Sequence, residues 1–329
     1  MKSQSDQQLK EKLALPPLPE RATRIIDDIE SGAILGASRS IRLINDVFVM
    51  LAEEYQGDSG EQLADDLQQW ANYLIRTRGA LSPAVGNAIR VVFMGFEKEA
   101  QALSLADVQR SVRTRTEIFN RQSIQNIEQI AVCGANLLLD GDCVLAYDYS
   151  SSVNAVLRKT NEQGKSLHVI IPESRSLYGG RPILEEAIEW GHQIRFTVDA
   201  AMGQALKSCS AVLVGVESLT ADGGFWNTVG TCSLSILAKH YNVPVYVPTE
   251  LLKFDPRSLQ GEFRQVDRQG LHHLFPGLED LLERKDVIAE SDDLEFTPPE
   301  FITVYITEQG ILPPASVSFE AKAILGLGD

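Results

Sequence analysis

The chain has 329 residues, 44% of them hydrophobic, and a formal net charge of −15. That length can bury a large core and predicts two domains of ordinary size, while the acidic balance excludes a generic nucleic-acid binder, because phosphate backbones are held by excess Lys and Arg. No apolar run approaches the roughly 18 residues of a membrane span, and the opening MKSQSDQQLKEKL lacks the apolar stretch of a signal peptide, so a cytoplasmic protein without membrane contact is expected.

From about Leu18 to Ser123 apolar residues recur at steps of three and four, as in Ile44, Val47, Phe48 and Leu51, then Leu63, Leu67, Trp70 and Leu74, then Val85, Ile89, Val92, Phe93 and Phe96. This spacing predicts a helical N-terminal domain over residues 1–123. A further helix carrying Ile124, Ile127, Ile130, Ala131 and Leu138 opens a second domain over 124–329 and leads into the turn Asp140-Gly141-Asp142.

The period then changes. Short apolar runs at Cys143–Tyr147, Leu167–Ile171, Ile194–Val198, Ala211–Val216 and Val245–Val247 alternate with helical segments, which predicts a parallel sheet covered on both faces. Ligands of such sheets bind beyond the carboxyl ends of the strands. The loops there are polar: Asp148-Tyr149-Ser150-Ser151-Ser152, Glu173-Ser174-Arg175 running to Gly179-Gly180-Arg181, Asp199, Glu217-Ser218, and Thr249 to Lys253.

The stretch Ala211–Phe254 orders a strand, a polar loop, the glycine turn Asp222-Gly223-Gly224, a helix starting near Gly230-Thr231 with Thr231 as N-cap, and a second strand. Free N–H groups and the positive dipole end at that helix start suit a phosphate. The same order also fits an ordinary α/β packing unit whose glycines only turn the chain.

Cys133, Cys143, Cys209 and Cys232 show no CxxC pairing or zinc spacing and read as reduced thiols. Lys253–Thr297 reads as a long irregular loop wrapping the sheet, and its adjacent His272 and His273 have no ligand partner at a metal spacing, so no metal site is expected.

Three stretches carry a resemblance: DGDCVLAYDYSSSV (Asp140–Val153), ESRSLYGGR (Glu173–Arg181) with Asp199-Ala200-Ala201, and Val214–Phe254 with Asn227, Gly230-Thr231 and Lys253-Phe254. A weaker match is Thr297-Pro298-Pro299-Glu300 with Ile306-Thr307-Glu308 and Gly310; in the N-terminal half only Leu35-Gly36-Ala37 and Asn87-Ala88-Ile89-Arg90 match in outline. Together they resemble the alpha, beta and delta subunits of eukaryotic translation initiation factor 2B and their relatives, the methylthioribose-1-phosphate and ribose-1,5-bisphosphate isomerases. The resemblance implies an α/β fold, with a helical N-terminal domain followed by a Rossmann-like, mostly parallel sheet domain. It also implies a helix at Phe301–Ile306, where composition reads as a strand. Further implied are assembly into a homo-oligomer, dimer or higher, through the C-terminal domain, and a pocket for a phosphorylated sugar or nucleotide between the domains, with no cofactor. By position, the resemblance implies that Arg175 and Arg181 approach phosphate, Asn227 with Gly230 and Thr231 holds sugar or phosphate, Lys253 adds a cation, and Ser150 and Ser151 of the first loop bind the ligand or its phosphate.

The isomerases have a cysteine after the first strand and an aspartate after the fourth, where this chain has Asp148 and Glu217; their lysine after the asparagine is Thr228, and the arginine of their N-terminal element is Leu35. The resemblance therefore implies a regulatory ligand binder that lacks the usual Cys/Asp pair. The alternative is a divergent aldose–ketose isomerase of a sugar 1-phosphate, run by Asp148 and Glu217, since carboxylates whose pKa values are driven apart can serve as acid and base.

Overall fold

Helices are the regular elements of the first compact unit, Met1–Gln125, in the computed structural model, which describes residues 13, 15–31, 33–34, 36–101, 103–264, 266 and 268–327. They are α1 (Glu20–Ser31), α2 (Ala37–Glu53), α3 (Gly60–Leu81), α4 (Pro83–Val92), α5 (Phe96–Ala100) and α6 (Leu105–Asn136), the last extending into the residues of the second unit, Asn126–Asp329. Starts follow local chemistry. The Ser59 hydroxyl accepts from Gln62 N ahead of α3, and Pro83, with no N–H to leave unbonded, opens α4. The apolar residues at helical spacing are buried, with Val47, Phe48, Leu63, Leu67, Leu74 and Phe96 at 0% exposure. Leu35 lies outside the described residues; Gly36 caps α2 at φ 87°, and Arg90 donates to Asn87 Oδ1.

The second unit is built on β1 (Cys143–Tyr147), β2 (His168–Pro172), β3 (Gln193–Thr197), β4 (Ala211–Val214), β7 (Val245–Pro248), β11 (Val304–Thr307) and β12 (Gly310–Leu312), in the order β12-β11-β7-β4-β1-β2-β3. Every pairing is parallel except β11 with β12. Between the strands run α7 (Ser151–Glu162), α8 (Gly180–Glu189), the short α9 (Met202–Ala205) and α10 (Thr231–His240), and α12 (Val317–Leu325) follows β12. Continuous apolar strands fit a sheet buried on both faces: Val144, Leu145, Ala146, Val169, Ile171, Leu213 and Val214 are all at 0% exposure.

Three features differ from the sequence expectation. The polar loop after β4 is a hairpin, β5 (Ser218–Leu219) and β6 (Phe225–Thr228), turning at Asp222-Gly223-Gly224; with β10 (Leu294–Thr297) it makes a second, antiparallel sheet. Lys253–Thr297 is correspondingly more ordered than a loop, holding a small pair β8 (Arg268–Gly270) and β9 (Glu290–Asp292), a one-turn α11 (Glu279–Leu282) and β10. The helix implied at Phe301–Ile306 is corrected: that segment enters strand β11, because Tyr305 and Ile306 are needed in the core beside β7. Among the described residues no helix is long and apolar enough to cross a membrane.

The chain order places β2 and β3 on one side of β1, and β4, β7 and β11 on the other. The winding therefore reverses between β1 and β4, which is where ligands bind in open α/β sheets. Asp148 directly follows β1 and Glu217 follows β4, with Tyr147 in register with Val214.

Candidate functional site

Asp148 adopts φ 60° as the chain leaves β1, a left-handed conformation uncommon for a residue with a side chain. Its carboxyl is buried. Oδ1 accepts from the Ser174 hydroxyl at 2.8 Å and Oδ2 from the Thr228 hydroxyl at 2.5 Å. Ser174, at φ 49° in the loop after β2, gives its backbone N–H to Asp199 Oδ1 at 2.9 Å, and Arg175 N donates to Asp199 Oδ2 at 2.8 Å. The loops after β1, β2 and β3 and the strand β6 thus converge on two carboxyl groups. Tyr178, in the second loop, is also left-handed at φ 54°. Each such residue costs of order 1–3 kcal/mol and persists only where its surroundings impose it, which is typical of a ligand site.

Burial pushes the Asp148 carboxyl above the ordinary carboxylate range; hydrogen bonds from Thr228, Ser174 and Tyr149 N oppose this, and the Asp199 charge adds to it. The Tyr147 phenol, also raised by burial, donates to Val229 O at 2.7 Å. Its ring explains Gly230. At φ 106°, a β-carbon on residue 230 would stand 2.1 Å from Tyr147 Oη. Gly179 is required for the same kind of reason, since its β-carbon would lie 1.8 Å from Asp148 Oδ1.

α10 begins at Thr231 with Gly230, not Thr231, as its cap. The N–H groups that the sequence offers to phosphate meet a carboxylate of the same chain: Glu295 Oε1, on β10, accepts from Gly230 N and Cys232 N, both at 2.7 Å. Asn227 is buried and donates to Thr231 Oγ1 at 3.1 Å, and that hydroxyl donates to Thr228 O at 2.7 Å, so this pair braces the turn into the helix.

The predicted cations divide. Arg181 is 79% exposed on α8 and pairs with Glu185 one turn on. Arg175 is half-exposed, donates to Leu274 O at 3.1 Å, pairs with Glu173 at 3.2 Å and lies over the Tyr178 ring. Lys253 donates to Val216 O at 2.5 Å, at the mouth of the β4 loop. The turn carrying Lys253 is held by Glu308, both of whose oxygens accept from Leu251 N, and burial pushes Glu308 up to about 7. Ser150 caps α7 by accepting from Val153 N at 3.4 Å, and Ser151 is the exposed first residue of that helix.

Asp148 and Glu217 are not hydrogen-bonded to each other; both are tied to β6, Asp148 through Thr228 and Glu217 through its N–H to Trp226 O at 2.9 Å. Residues 226 and 228 are roughly 7 Å apart along the strand. The charged neighbour of Glu217 is Arg264, whose Nη1 is 3.8 Å from Glu217 Oε1 and whose side chain is 11% exposed. Arg264, Ser174 and Glu295 escaped the sequence reading as site residues. Arg264 and Glu295 stand in a stretch without periodicity, and Ser174 is one serine among several in a polar loop.

Residues 34–314 match the model of the Initiation factor 2 subunit family. The ribose 1,5-bisphosphate isomerase of Pyrococcus furiosus is 27% identical over 291 residues, covering 88% of this chain and 90% of that protein. The translation initiation factor eIF2B subunit delta of Schizosaccharomyces pombe is 28% identical over 308 residues, 86% of this chain and 64% of that one. Among solved structures, the translation initiation factor eIF-2B of Pyrococcus horikoshii superposes with a TM-score of 0.72 at 25% identity, covering 90% of this chain and 98% of that one. The 5-methylthioribose 1-phosphate isomerase of the same organism shares the fold, with a TM-score of 0.73 at 18% identity over 93% of this chain and 88% of that one. With a family model matched over most of its length, the chain belongs to the initiation factor 2 subunit family.

Proposed function

We propose that the α/β unit binds a phosphorylated sugar beyond the carboxyl ends of β1, β2 and β4 and converts it between aldose and ketose forms. The observation that carries this reading is Asp148: a buried carboxyl raised in pKa, in a strained backbone conformation, at the switch point of the sheet. A carboxyl that holds its proton to higher pH than usual is suited to give it to a carbonyl oxygen. Aldose–ketose exchange also needs a base for the proton on the adjacent carbon, and Glu217, after the neighbouring strand and one-third exposed, takes that part. The relatives named as ribose 1,5-bisphosphate isomerases support the substrate class. Lys253 and Arg175 supply positive charge, and Asn227 with Thr231 shapes the sugar side of the site.

A second reading, binding without turnover, is favoured by one specific observation. Both oxygens of Asp148 already accept hydroxyl hydrogen bonds from Ser174 and Thr228, as befits a carboxyl that organises loops. NMR of the purified protein with pentose and hexose phosphates, ribose 1,5-bisphosphate included, separates the two. Turnover that falls by about 100-fold or more in Asp148→Asn and in Glu217→Gln establishes the isomerase; binding without turnover by the unaltered protein establishes the sensor. We also propose assembly as a homo-oligomer through this unit, supported by exposed Ile236, Ile311 and Phe319, with native mass as its check.

A further inference from the structure

The β5–β6 hairpin and the segment beside it hold several buried donors that meet no acceptor among the described residues. Nε and Nη1 of Arg264 are buried without a hydrogen-bond partner, and so are Trp226 Nε1 and Ser218 Oγ. The 3.8 Å from Arg264 Nη1 to Glu217 Oε1 is an ionic contact too long to be a hydrogen bond. Ser218 and Trp226 are direct partners in the antiparallel register, so their side chains leave one face of the hairpin. Glu217 is tied to the same rung through Trp226 O, and Lys253 reaches the preceding residue through Val216 O. One cation therefore faces the Glu217 carboxylate and a second the backbone carbonyl of the preceding residue where the loop leaves β4.

Buried polar groups are almost always bonded, and a buried guanidinium above all requires an acceptor. The unmet groups are all able to donate, so what completes them is a group rich in acceptors. A phosphoryl group is one, and guanidinium is its preferred partner.

Resting on the reading that this unit binds a phosphorylated sugar, we propose that Arg264 receives a phosphoryl group of the ligand, with Lys253 as the second cation and Trp226 Nε1 as a neutral donor. Arg264 thereby selects phosphorylated over neutral sugars. Glu217 holds the guanidinium at the β4 loop without satisfying its donors, which leaves them available to the ligand.

Inorganic phosphate is the first probe, by calorimetry and thermal shift on the full chain. The unaltered protein is expected to bind it, Arg264→Gln to bind it about 10- to 100-fold more weakly, and Arg264→Lys to fall between. Without phosphate, Arg264→Gln is expected to melt at the same temperature or higher, since it removes an unmet buried cation. A structural arginine would instead lower the melting temperature and leave phosphate affinity unchanged, and that result overturns the proposal. Phosphate should also shield Arg264 of the unaltered protein from phenylglyoxal, read by peptide mapping; modification at the same rate with and without phosphate overturns the proposal even if the variants fail to fold. Phosphate binding through Arg264 with no binding of any sugar phosphate sinks the sugar reading alone, whereas sugar-phosphate binding indifferent to Arg264→Gln sinks this proposal alone.

Discussion

The Thr228 hydroxyl donates to Asp148 Oδ2 at 2.5 Å, joining the end of β1 to a strand 80 residues further along the chain. Thr228 is thus a neutral donor to a carboxyl that burial keeps protonated to higher pH. Thr228→Val is expected to cost about 1–2 kcal/mol of stability, the loss of one hydrogen bond to a buried partner. Urea denaturation measures it, and an unchanged midpoint would show that the contact contributes nothing.

Asp148 predicts a direction of pH dependence. Its folded pKa is raised, so the neutral form belongs to the folded state, and the stability it contributes is present below the unfolded value and lost as pH rises through the raised one. Turnover that uses its proton should fade over that same rise. Asp148→Asn, which cannot titrate, is expected to flatten the stability profile and abolish the limb in the rate profile; a limb that survives assigns the proton to another group.

Glu308 behaves alike, with a value attached. Raised by burial from 4.5 to about 7, it should make the protein progressively less stable between those two pH values, by on the order of 3 kcal/mol for a single site. Glu308→Gln should lack that slope. Comparing melting temperatures of the two proteins at pH 5 and pH 8 checks the sign.

Gly230→Ala combines a backbone at φ 106° with a β-carbon only 2.1 Å from Tyr147 Oη. Left-handed strain and overpacking together are expected to cost about 2–5 kcal/mol. If calorimetry finds a near-neutral effect, the helix start and the Tyr147 ring must be able to move apart.

Glu295→Ala removes the carboxylate that accepts from Gly230 N and Cys232 N, and is expected to cost about 1–2 kcal/mol. The freed helix start should then be stabilised by sulfate or phosphate more than the unaltered protein is. An equal response to the anions in both proteins would mean that another group has taken over the cap.

Much of the architecture was legible because it is written in local patterns. The strands near 143, 168, 194, 211 and 245 are apolar runs at regular spacing, and Asp222-Gly223-Gly224 was readable as a turn. The hairpin around that turn was not, since Ser218–Leu219 is two residues long and Asn227 is buried by contact with Thr231 rather than by being apolar. At Phe301–Ile306 the β-branched and aromatic composition was the better guide than the family likeness. The candidate site was legible by place, since Asp148 and Glu217 both follow the central strands. Its partners were not: Ser174, Asp199 and Thr228 meet Asp148's surroundings, and Arg264 meets Glu217, only through contacts distant in sequence.

Left-handed backbone at Asp148, Ser174 and Tyr178 sets two kinds of selection against each other. Tyr178 is the sharpest instance, because it is exposed and its aromatic ring lies beneath Arg175, while glycine or asparagine would sit more comfortably at its φ of 54°. A variant library sorted only for heat resistance should accumulate those residues there and loosen the Arg175 stack, so thermostable descendants of this chain are best chosen by a screen that also scores the ligand.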